Sequence, residues 1–557
     1  MRRTAILTVA TLAAAAAVPA ALAARRHGPR GAVYLVGGGV ESINPTKAML
    51  ANHDFFLGGY GFGSGRVGNV VAVPGATDAL GNRYAVGVLG DGAHSRAFAV
   101  SDRRHTVVFS QIETQGYFAA YKQGPFGLID IRRDAAAQIA ALAAKHAGAP
   151  APTASEIVVD SDHSHGGPDT VGVWGGVPTS YLKLVHDRTV AAIVDAWRSM
   201  RPATLSYGVA HAGVNGEAKY PPTDGQDWIL SNQFSDDPNN QTMDDEVRVL
   251  QARDPKSGRV LDTYVNYASH PTVLGSSNRR VTGDYVGRLD RAMQRSLGGF
   301  AMDQVATLGR EQPADRGCPS MPKADDSNPT KALCALDDYA GRVLRKVKEA
   351  LAVARPLTGK PVVAMNSYLL ADPATSPVLA GLVYAGQVVG APAGRAPNAP
   401  WYTGNVIGTT YFVGRIGDVL VTGGPGEMYA QIWQKVRDTV KGMRGYINVG
   451  TAGDFLGYLI APLEAYPEPV KRSFLSGNNV PSPVDNDNYF FNVSHTFGER
   501  LTCDFLRGAG DILAHDAQKY WSTYDRCPAF TSDLMLPPGQ DTRFPAQPDL
   551  SSVLPHM

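Results

Sequence analysis

The sequence has little net charge, few cysteines and no recognisable nucleophile motif. Its formal charge is +1 over 557 residues, which argues against a nucleic-acid partner or an anionic membrane surface. No Cys-x-x-Cys pair occurs, so neither a redox motif nor a zinc ribbon is indicated. No Gly-x-Ser-x-Gly elbow occurs either, and no serine lies in a recognisable activating context. These absences argue against nucleic-acid binding, thiol chemistry and serine hydrolysis.

The N-terminus has the pattern of a secretory signal peptide. Met1-Arg2-Arg3 is a positively charged start, residues 4–19 form an Ala-rich apolar stretch, and Ala21-Leu22-Ala23 is a small-x-small cleavage site. We therefore expect a signal peptide over residues 1–23 and a secreted or periplasmic protein. An uncleaved N-terminal anchor is the alternative, because two arginines follow closely. No later stretch is long and apolar enough to span a bilayer, so no transmembrane segment is expected in the mature chain.

The four cysteines fit an oxidising compartment. Cys318 and Cys334 are close in sequence, as are Cys503 and Cys527. Disulfides form mainly in exported proteins, and four cysteines can be paired in three ways. We predict the two local pairs, Cys318 with Cys334 and Cys503 with Cys527. Free buried thiols are the alternative.

Composition and element order indicate an α/β fold. Hydrophobic residues make up 44% of the chain, and 60 glycines and 38 prolines point to many loops and turns rather than long helical bundles. A strand at Thr106–Ser110, a helix at Asp134–His146 and a strand before His163 form a βαβ-like passage. We predict large mixed sheets flanked by helices in a single domain. The other predicted elements are strands at 31–36, Val260–Tyr267, Arg415–Thr422 and Gly445–Val449, and helices at Tyr181–Arg198, Lys331–Ala354 and Met428–Lys441.

A glycine-rich segment runs from Gly58 to Gly68. Its glycines at 63, 65 and 68 formally match the dinucleotide-binding fingerprint. That fingerprint needs a strand immediately before it and a helix after it, and neither pattern is present here. We interpret the segment as a loop and reject a dinucleotide site.

The most informative motif is Asp160-Ser161-Asp162-His163-Ser164-His165-Gly166-Gly167-Pro168. It follows Glu156–Val159, a short β-branched run typical of a buried strand. Packing explains two histidines at this place poorly, because the strand end fixes their geometry and the glycines admit solvent or main chain. Neutral imidazole is the commonest ligand of transition metals. His163 and His165 are therefore candidates for a metal or catalytic site.

The same context, a strand followed by a Gly- or Pro-rich turn with a polar side chain, occurs three more times. These turns carry His270, Glu427 and Tyr458. Ligands of open α/β sheets bind at the carboxyl ends of strands, and imidazole and oxygen donors without a thiolate suit zinc. Each turn alone also has a structural interpretation: a histidine bonded to main chain, an acidic residue at a helix N-terminus, and a core tyrosine. The recurrence favours a metal site.

In this order the motifs resemble those of the neutral (non-lysosomal) ceramidases, zinc amidohydrolases of secreted or surface location. His163–Pro168 is similar to the family's His-Thr-His-Ser-Gly-Pro block. Tyr267–Thr272, followed by Asn278-Arg279 and Gly283-Asp284-Tyr285, is similar to its second histidine segment. Gly424–Glu427 resembles the Pro-Gly-Glu block, and Gly457-Tyr458 the tyrosine block. The resemblance covers about residues 30 to 525.

The resemblance implies Zn²⁺ held by His163, His270, Glu427 and Tyr458, with His165 as the general base and Tyr458 also at the catalytic site. It implies a single α/β catalytic domain, here over residues 30–530. The immunoglobulin-like domain that usually follows in the family is not expected, because too little chain follows the tyrosine block. Residues 531–557 are expected to form a tail.

The departures from the family concern the substrate. The family's Gly-Asp-Val-Ser-Pro-Asn motif supplies a serine needed for ceramide cleavage, and Gly309–Ala314 has Gln312 at that position. The family's Asn-Arg-Ser-Pro motif, whose arginine helps hold the substrate, matches Asn215–Ala218 without an arginine. A further tyrosine of the family finds Tyr466 out of register. We expect Gln312 to donate an amide N–H to a developing oxyanion.

Together these observations predict an exported zinc-dependent hydrolase that cleaves the amide bond of an N-acyl, ceramide-like lipid with a metal-activated water. Asp162 or Asp284 is expected to orient an imidazole. One alternative is a zinc hydrolase of another amide or ester. The other is a secreted binding protein of the same fold that has lost catalysis. The expected partner is a small-molecule or lipid N-acyl substrate, without nucleic acid, and peripheral contact with a membrane stays open.

Overall fold

The computed structural model describes most of the chain between residues 32 and 527. Some predicted features lie outside the described residues: the signal peptide at 1–23, the tail at 531–557, Tyr466, and most of the segments 58–68 and 215–218. In the part of the chain that the structure describes, no helix is both long enough and apolar enough to cross a membrane. The described residues are 32–60, 83–121, 123–145, 148–172, 174–215, 229–232, 243–314, 318, 327–373, 406–460 and 497–527.

Strands and helices are numbered here in chain order over the described residues. The strands are β1 Val33–Ser42, β2 Gly87–Val88, β3 His94–Ser101, β4 Thr106–Ile112, β5 Ile157–Ser161, β6 Arg201–His211, β7 Val214–Asn215, β8 Leu230–Asn232, β9 Glu246–Arg253, β10 Val260–Tyr267, β11 Arg280–Val281, β12 Phe300–Val305, β13 Glu311–Pro313, β14 Arg355–Pro356, β15 Val363–Pro373, β16 Val406–Ile416, β17 Val419–Gly423, β18 Glu427–Met428, β19 Gly445–Val449 and β20 Tyr458–Leu459. The helices are α1 Lys47–Ala51, α2 Leu128–Ala143, α3 Thr179–Arg198, α4 Asp284–Leu297, α5 Pro329–Val353, α6 Ala430–Thr439, α7 Phe497–Ala514 and α8 Gln518–Trp521.

The largest sheet has nine strands in the order β12-β10-β9-β6-β1-β3-β4-β5, with β14 paired to β6. Two of its pairs are parallel, β4 with β5 and β10 with β12. Parallel neighbours need a crossover connection, and a helix lies between the two strands of each pair, α2 in the first and α4 in the second. The βαβ-like passage predicted before His163 is therefore confirmed.

Alternation along the strands gives this sheet two apolar faces. In β3, Ala97 and Ala99 belong to the core formed with α2 and α3. Phe98 and Val100 belong to the core on the opposite face. Helices α4 and α5 pack on the same face as α2 and α3, against β6, β9 and β12. One face of the sheet is thus covered by helices.

A second sheet, in the order β15-β16-β17-β19, covers the other face. Phe412, Val421 and Ile447 lie in the core between the two sheets. The outer face of the second sheet is covered by α6, α7 and α8, where Tyr411 and Val413 belong to a further core. The described residues therefore form four layers, helices on each side of two packed sheets, and the prediction of mixed sheets flanked by helices is confirmed.

The nine-stranded sheet curls until its two edge strands meet. Asp160 on β5 accepts a hydrogen bond of 2.6 Å from the amide of Gln304 on β12. The main chain of residues 450–453, directly after β19, joins the two edges. The N–H of Gly450 donates to the last residue of β12, and the N–H of Gly453 donates to β5. The carboxyl ends of β5 and β12, which the strand order places farthest apart, therefore lie side by side.

One predicted strand, Arg415–Thr422, is wrong because it covers the turn of a hairpin. β16 ends at Ile416 and β17 begins at Val419, and the two strands pair antiparallel. Gly417 lies in the turn with φ +61°, a left-handed conformation that glycine adopts without steric cost. The apolar residues on both sides of this short turn conceal it in the sequence.

Both predicted disulfides are formed. The Cα atoms of Cys318 and Cys334 are 5.7 Å apart, and those of Cys503 and Cys527 are 5.5 Å apart. The first bond fastens residue 318 to α5, and the second fastens α7 to the segment after α8. Both cross-links join a helix to a neighbouring stretch of chain, which agrees with pairing between cysteines close in sequence.

Candidate metal centre

His163 lies where the main chain turns sharply after β5. Its φ is +64°, in the left-handed region that residues other than glycine rarely adopt. The turn is held by Ser164, whose N–H donates to Asp162 at 2.9 Å and whose hydroxyl donates to the main chain of Thr282 at 3.0 Å. Strained main chain of this kind is common at functional sites. The turn brings His163 and His165 to the carboxyl end of β5.

Four side chains from three separate segments converge beside this turn. Nε2 of His163 lies 3.1 Å from Nε2 of His165 and 3.2 Å from Oε2 of Glu427. The same carboxylate oxygen lies 3.1 Å from Nε2 of His270. The potential ligand atoms of the three histidines are all within 4.8 Å of one another. His163, His270 and Glu427 are buried, at 3%, 1% and 4% exposed, and His165 is half-buried.

Main-chain carbonyls fix the tautomers of two of the histidines. Nδ1 of His163 donates to the carbonyl of Gln115 at 2.6 Å, and Nδ1 of His270 donates to that of Glu311 at 2.9 Å. Because a carbonyl oxygen only accepts, each Nδ1 carries the proton and each Nε2 of the neutral ring carries a lone pair. Burial lowers the pKa of His270, although Glu427 opposes the shift. The lowered pKa favours the neutral ring, the form whose Nε2 lone pair can bind a metal ion.

Glu427 reaches the site from β18, which pairs parallel with β20 so that Tyr458 is opposite Glu427. Burial by itself would raise the pKa of the Glu427 carboxyl, but His163 and His270 together outweigh it and lower the pKa to about 2. The carboxylate is therefore charged at neutral pH. A negative oxygen surrounded by imidazole nitrogens at 3.1 and 3.2 Å forms an electrostatic environment that attracts a cation.

The donor atoms fit a metal ion. Two imidazole lone pairs and a carboxylate oxygen facing one another repel unless a positive charge lies between them. A tetrahedral zinc ion with bonds of about 2.0–2.1 Å holds its ligand atoms about 3.3–3.4 Å apart. The distances of 3.1 and 3.2 Å between Oε2 of Glu427 and the two Nε2 atoms are close to that spacing. His163, His270 and Glu427 therefore have the geometry and the ligand chemistry to hold a metal ion, and His165 lies beside them.

The two other residues predicted at the site, Tyr458 and Gln312, lie next to this group. The ring of Tyr458 is 6.5 Å from that of His270 between centroids, and the residue is 8% exposed. Gln312 lies on β13, directly after the residue whose carbonyl holds His270. Its Oε1 accepts a hydrogen bond of 2.6 Å from the hydroxyl of Thr272. The opposite side of this amide carries its N–H donors.

The two carboxylates expected to orient imidazoles, Asp162 and Asp284, are both buried. Asp162 accepts from an N–H in the turn that carries His163. Asp284 accepts from two N–H groups of the loop after His270, at 3.1 and 3.0 Å. These bonds shape the loops that carry the histidines, whereas the partners of the two Nδ1 atoms are main-chain carbonyls.

The sequence analysis missed several residues that contact the group. Phe455 stacks on His163, with ring centroids 5.3 Å apart, and Tyr60 meets His165 edge to face at 4.8 Å. Both aromatic residues lie in glycine-containing turns, which is a signal that could have drawn attention to them. Gln115 and Glu311 gave no such signal, because they act through main-chain oxygens that every residue has.

Comparison with solved structures relates this architecture to the neutral ceramidases. The crystal structure of the neutral ceramidase from Pseudomonas aeruginosa matches with a TM-score of 0.57 and 15% identity, over 93% of this chain and 77% of that one. This chain has a ceramidase-like fold. A ceramidase complexed with C2 matches with a TM-score of 0.55 and 14% identity, over 90% and 77% of the two chains. No family model matches the sequence, and no curated protein matches it either.

The ceramidase-like fold confirms the resemblance at the level of architecture. At 15% identity a shared fold does not by itself assign an activity. The finding specific to this chain is that the fold contains a group of three histidines that fits a metal ion. What the protein does therefore depends on the chemistry that these side chains can support.

Proposed function

We propose that the protein is an exported zinc-dependent hydrolase that cleaves the amide bond of an N-acyl substrate of the ceramide type. The observation that carries the proposal is the convergence of three imidazoles and one carboxylate within a ceramidase-like fold. Imidazole and carboxylate ligands without thiolate are common at catalytic zinc sites. The N-terminal signal-peptide pattern and the two disulfides support export.

Four residues would hold the zinc ion: His163 and His270 through Nε2, Glu427 through its carboxylate and Tyr458 through its phenol oxygen. A bound zinc ion lowers the pKa of a water ligand from about 15.7 to roughly 7 and polarises the carbonyl of a substrate. The carbonyls on the two Nδ1 atoms hold the ligand rings in one orientation. Such outer partners typically strengthen metal binding by about 10–100-fold.

His165 is proposed as the general base and later the general acid. Its Nε2 is 3.1 Å from that of the proposed ligand His163, which puts it beside the site where a zinc-bound water would lie. Nε2 of His165 accepts a proton from the attacking water as the new C–O bond forms. The same atom then gives the proton to the leaving nitrogen when the C–N bond breaks. The products are a carboxylic acid and an amine, and no serine nucleophile is needed.

Replacing Gln312 by alanine is expected to lower kcat by up to roughly 10²–10³-fold and to leave zinc bound, because a well-aimed oxyanion donor contributes about 2.7–4 kcal/mol. The hydroxyl of Thr272 engages Oε1 of Gln312, so the amide nitrogen is the donor. Steady-state kinetics and metal analysis measure the two effects. Gln312→Glu is the matched control, since it keeps the shape and the acceptor but loses the N–H donors. Wild-type kcat in Gln312→Glu would contradict this role.

The function is tested by acyl release from a panel of substrates. The panel contains a ceramide, a simple fatty-acid amide and an ester of the same acid, each assayed with a zinc chelator, without it, and after zinc is restored. We expect release from ceramide that the chelator abolishes and zinc restores. Release from the simple amide or the ester alone would favour the other zinc hydrolases. No release from any substrate would refute the proposal in favour of a secreted binding protein.

A further inference from the structure

The ring of His165, the proposed base, is contacted by residues 58–60, which have no role in the proposed reaction. The ring planes of Tyr60 and His165 meet at 80° with centroids 4.8 Å apart, and the Tyr60 hydroxyl donates to the carbonyl of Leu274 at 2.8 Å. Gly59 has φ +98°, and its main chain is so close to the imidazole that a Cβ would overlap with the ring of His165. The position of the imidazole therefore depends on the position of residues 58–60.

A single buried arginine joins this segment to the two loops that carry the site histidines. Arg83 is 4% exposed, and its guanidinium donates to three main-chain carbonyls, those of Gly58, His165 at 2.8 Å and Asn278 at 3.2 Å. It also stacks over the ring of Tyr60 at 4.8 Å. The three carbonyls belong to the segment over His165, to the turn of His165 itself and to the loop after His270. A planar fork of donors suits three such acceptors, whereas an ammonium group is a single point charge.

Burying the positive charge of Arg83 costs free energy, because the guanidinium loses its hydration. Burial lowers the pKa of Arg83 to about 10, so the guanidinium remains charged at neutral pH while losing its hydration. A buried charge persists only where hydrogen bonds replace the lost water. Here the three carbonyls and the face of Tyr60 replace it. One partner is the carbonyl of His165 itself, and two others belong to residues 58–60, which contact its ring, so most of these contacts are made at or next to His165.

We propose that Arg83 is a positioning residue for His165. It fastens residues 58–60, the His165 turn and the loop at Asn278 into one unit, so that Nε2 of His165 keeps its place beside His163. The inference rests on the proposed function, since it connects Arg83 to the base of that reaction. Arg83 acts through His165 and the segment over it, and not on the substrate.

The test compares Arg83→Lys and Arg83→Met with the wild type and with a matched control, Arg132→Lys. Arg132 on α2 is also buried, at 1% exposed. It donates to the carbonyl of Ala154 at 2.8 Å and stacks over Phe412 at 4.9 Å. Loss of its guanidinium therefore reproduces the general effect of removing a buried arginine in another part of the fold.

Two measurements are made on each variant. With substrate, both Arg83 variants are expected to show kcat lowered by roughly 10–100-fold, KM changed by less than about twofold and zinc still bound, because a catalytic group displaced by about 1 Å loses up to about 100-fold in rate. Without substrate or metal, acylation of His165 by diethyl pyrocarbonate is followed by mass spectrometry. That reaction is expected to be several-fold faster in the Arg83 variants, because the loosened segment uncovers the ring.

The two measurements separate this inference from the proposed function. Wild-type kcat and wild-type labelling in Arg83→Lys would overturn the inference. Equal effects in Arg132→Lys would overturn it too, because general loosening would then be the cause. A wild-type protein that hydrolyses nothing, together with faster labelling of His165 only in the Arg83 variants, would refute the proposed function and support the positioning role.

Discussion

Replacing His163 and His270 together by alanine is expected to reduce bound zinc from about one ion per chain to background and to abolish hydrolysis. The Nε2 atoms of these residues lie 3.2 and 3.1 Å from Oε2 of Glu427. Without them, the site has lost both imidazole ligands of the proposed set, and water competes successfully for the ion. Elemental analysis of dialysed protein and the acyl-release assay measure the two losses.

The control for this double variant is His105→Ala. The side chain of His105 is 59% exposed and pairs with Glu156 at the surface, so its removal is expected to leave both zinc and activity unchanged. Zinc that remains stoichiometric in the double variant would put the ion at another place and overturn the ligand assignment.

Replacing His165 by alanine is expected to lower kcat by roughly 10²–10⁴-fold while about one zinc ion per chain stays bound. The expected separation between activity and metal follows from the role as a base, because the proposed ligand set lacks His165. Its Nε2 is nevertheless 3.1 Å from that of His163, as near as Glu427 is. Metal analysis beside steady-state kinetics therefore decides between a base and an additional ligand.

For His165 the control is His186→Ala. His186 is a largely buried histidine on α3 that pairs with Asp134 and Asp187, so it reports on the loss of an imidazole elsewhere in the fold. Zinc lost together with activity in His165→Ala, but not in His186→Ala, would make His165 a ligand and refute its assignment as the base.

The positions of the site histidines are predictable because each follows a strand with a strong local signal. The strand Val260–Tyr267 before His270 has the predicted bounds, and β5 before His163 begins at Ile157 within the predicted run. Such signals depend on β-branched residues and on the turn that follows them, both of which are local. The amphipathic helix predicted at Tyr181–Arg198 also has a local signal, the helical spacing of its apolar residues. In the structure it begins two residues earlier, at Thr179.

Features that depend on distant contacts were not predictable. Helix α2 begins at Leu128 and not at the predicted Asp134. The sequence pattern missed its first turns because Arg132 and Arg133 interrupt the run of apolar residues, although Arg132 is buried. The order of the nine strands and the curl that brings β5 to β12 follow from pairing across the chain, which periodicity does not encode. The clustering of the predicted site residues could be expected from their position at strand ends, but not the carbonyls that orient them.

The link that residues 450–453 form between β5 and β12 also determines when the candidate metal site can assemble during folding. These residues are bonded to both β5 and β12 and precede the turn with Tyr458. The end of β5, which carries His163, is thus joined to the end of β12, the neighbour of the strand that carries His270, by chain that is synthesised later. Closing so long a loop costs entropy that only the final contacts offset. In a nascent or partly folded chain the proposed ligands are therefore not yet assembled, and metal binding by this set would be coupled to the last steps of folding.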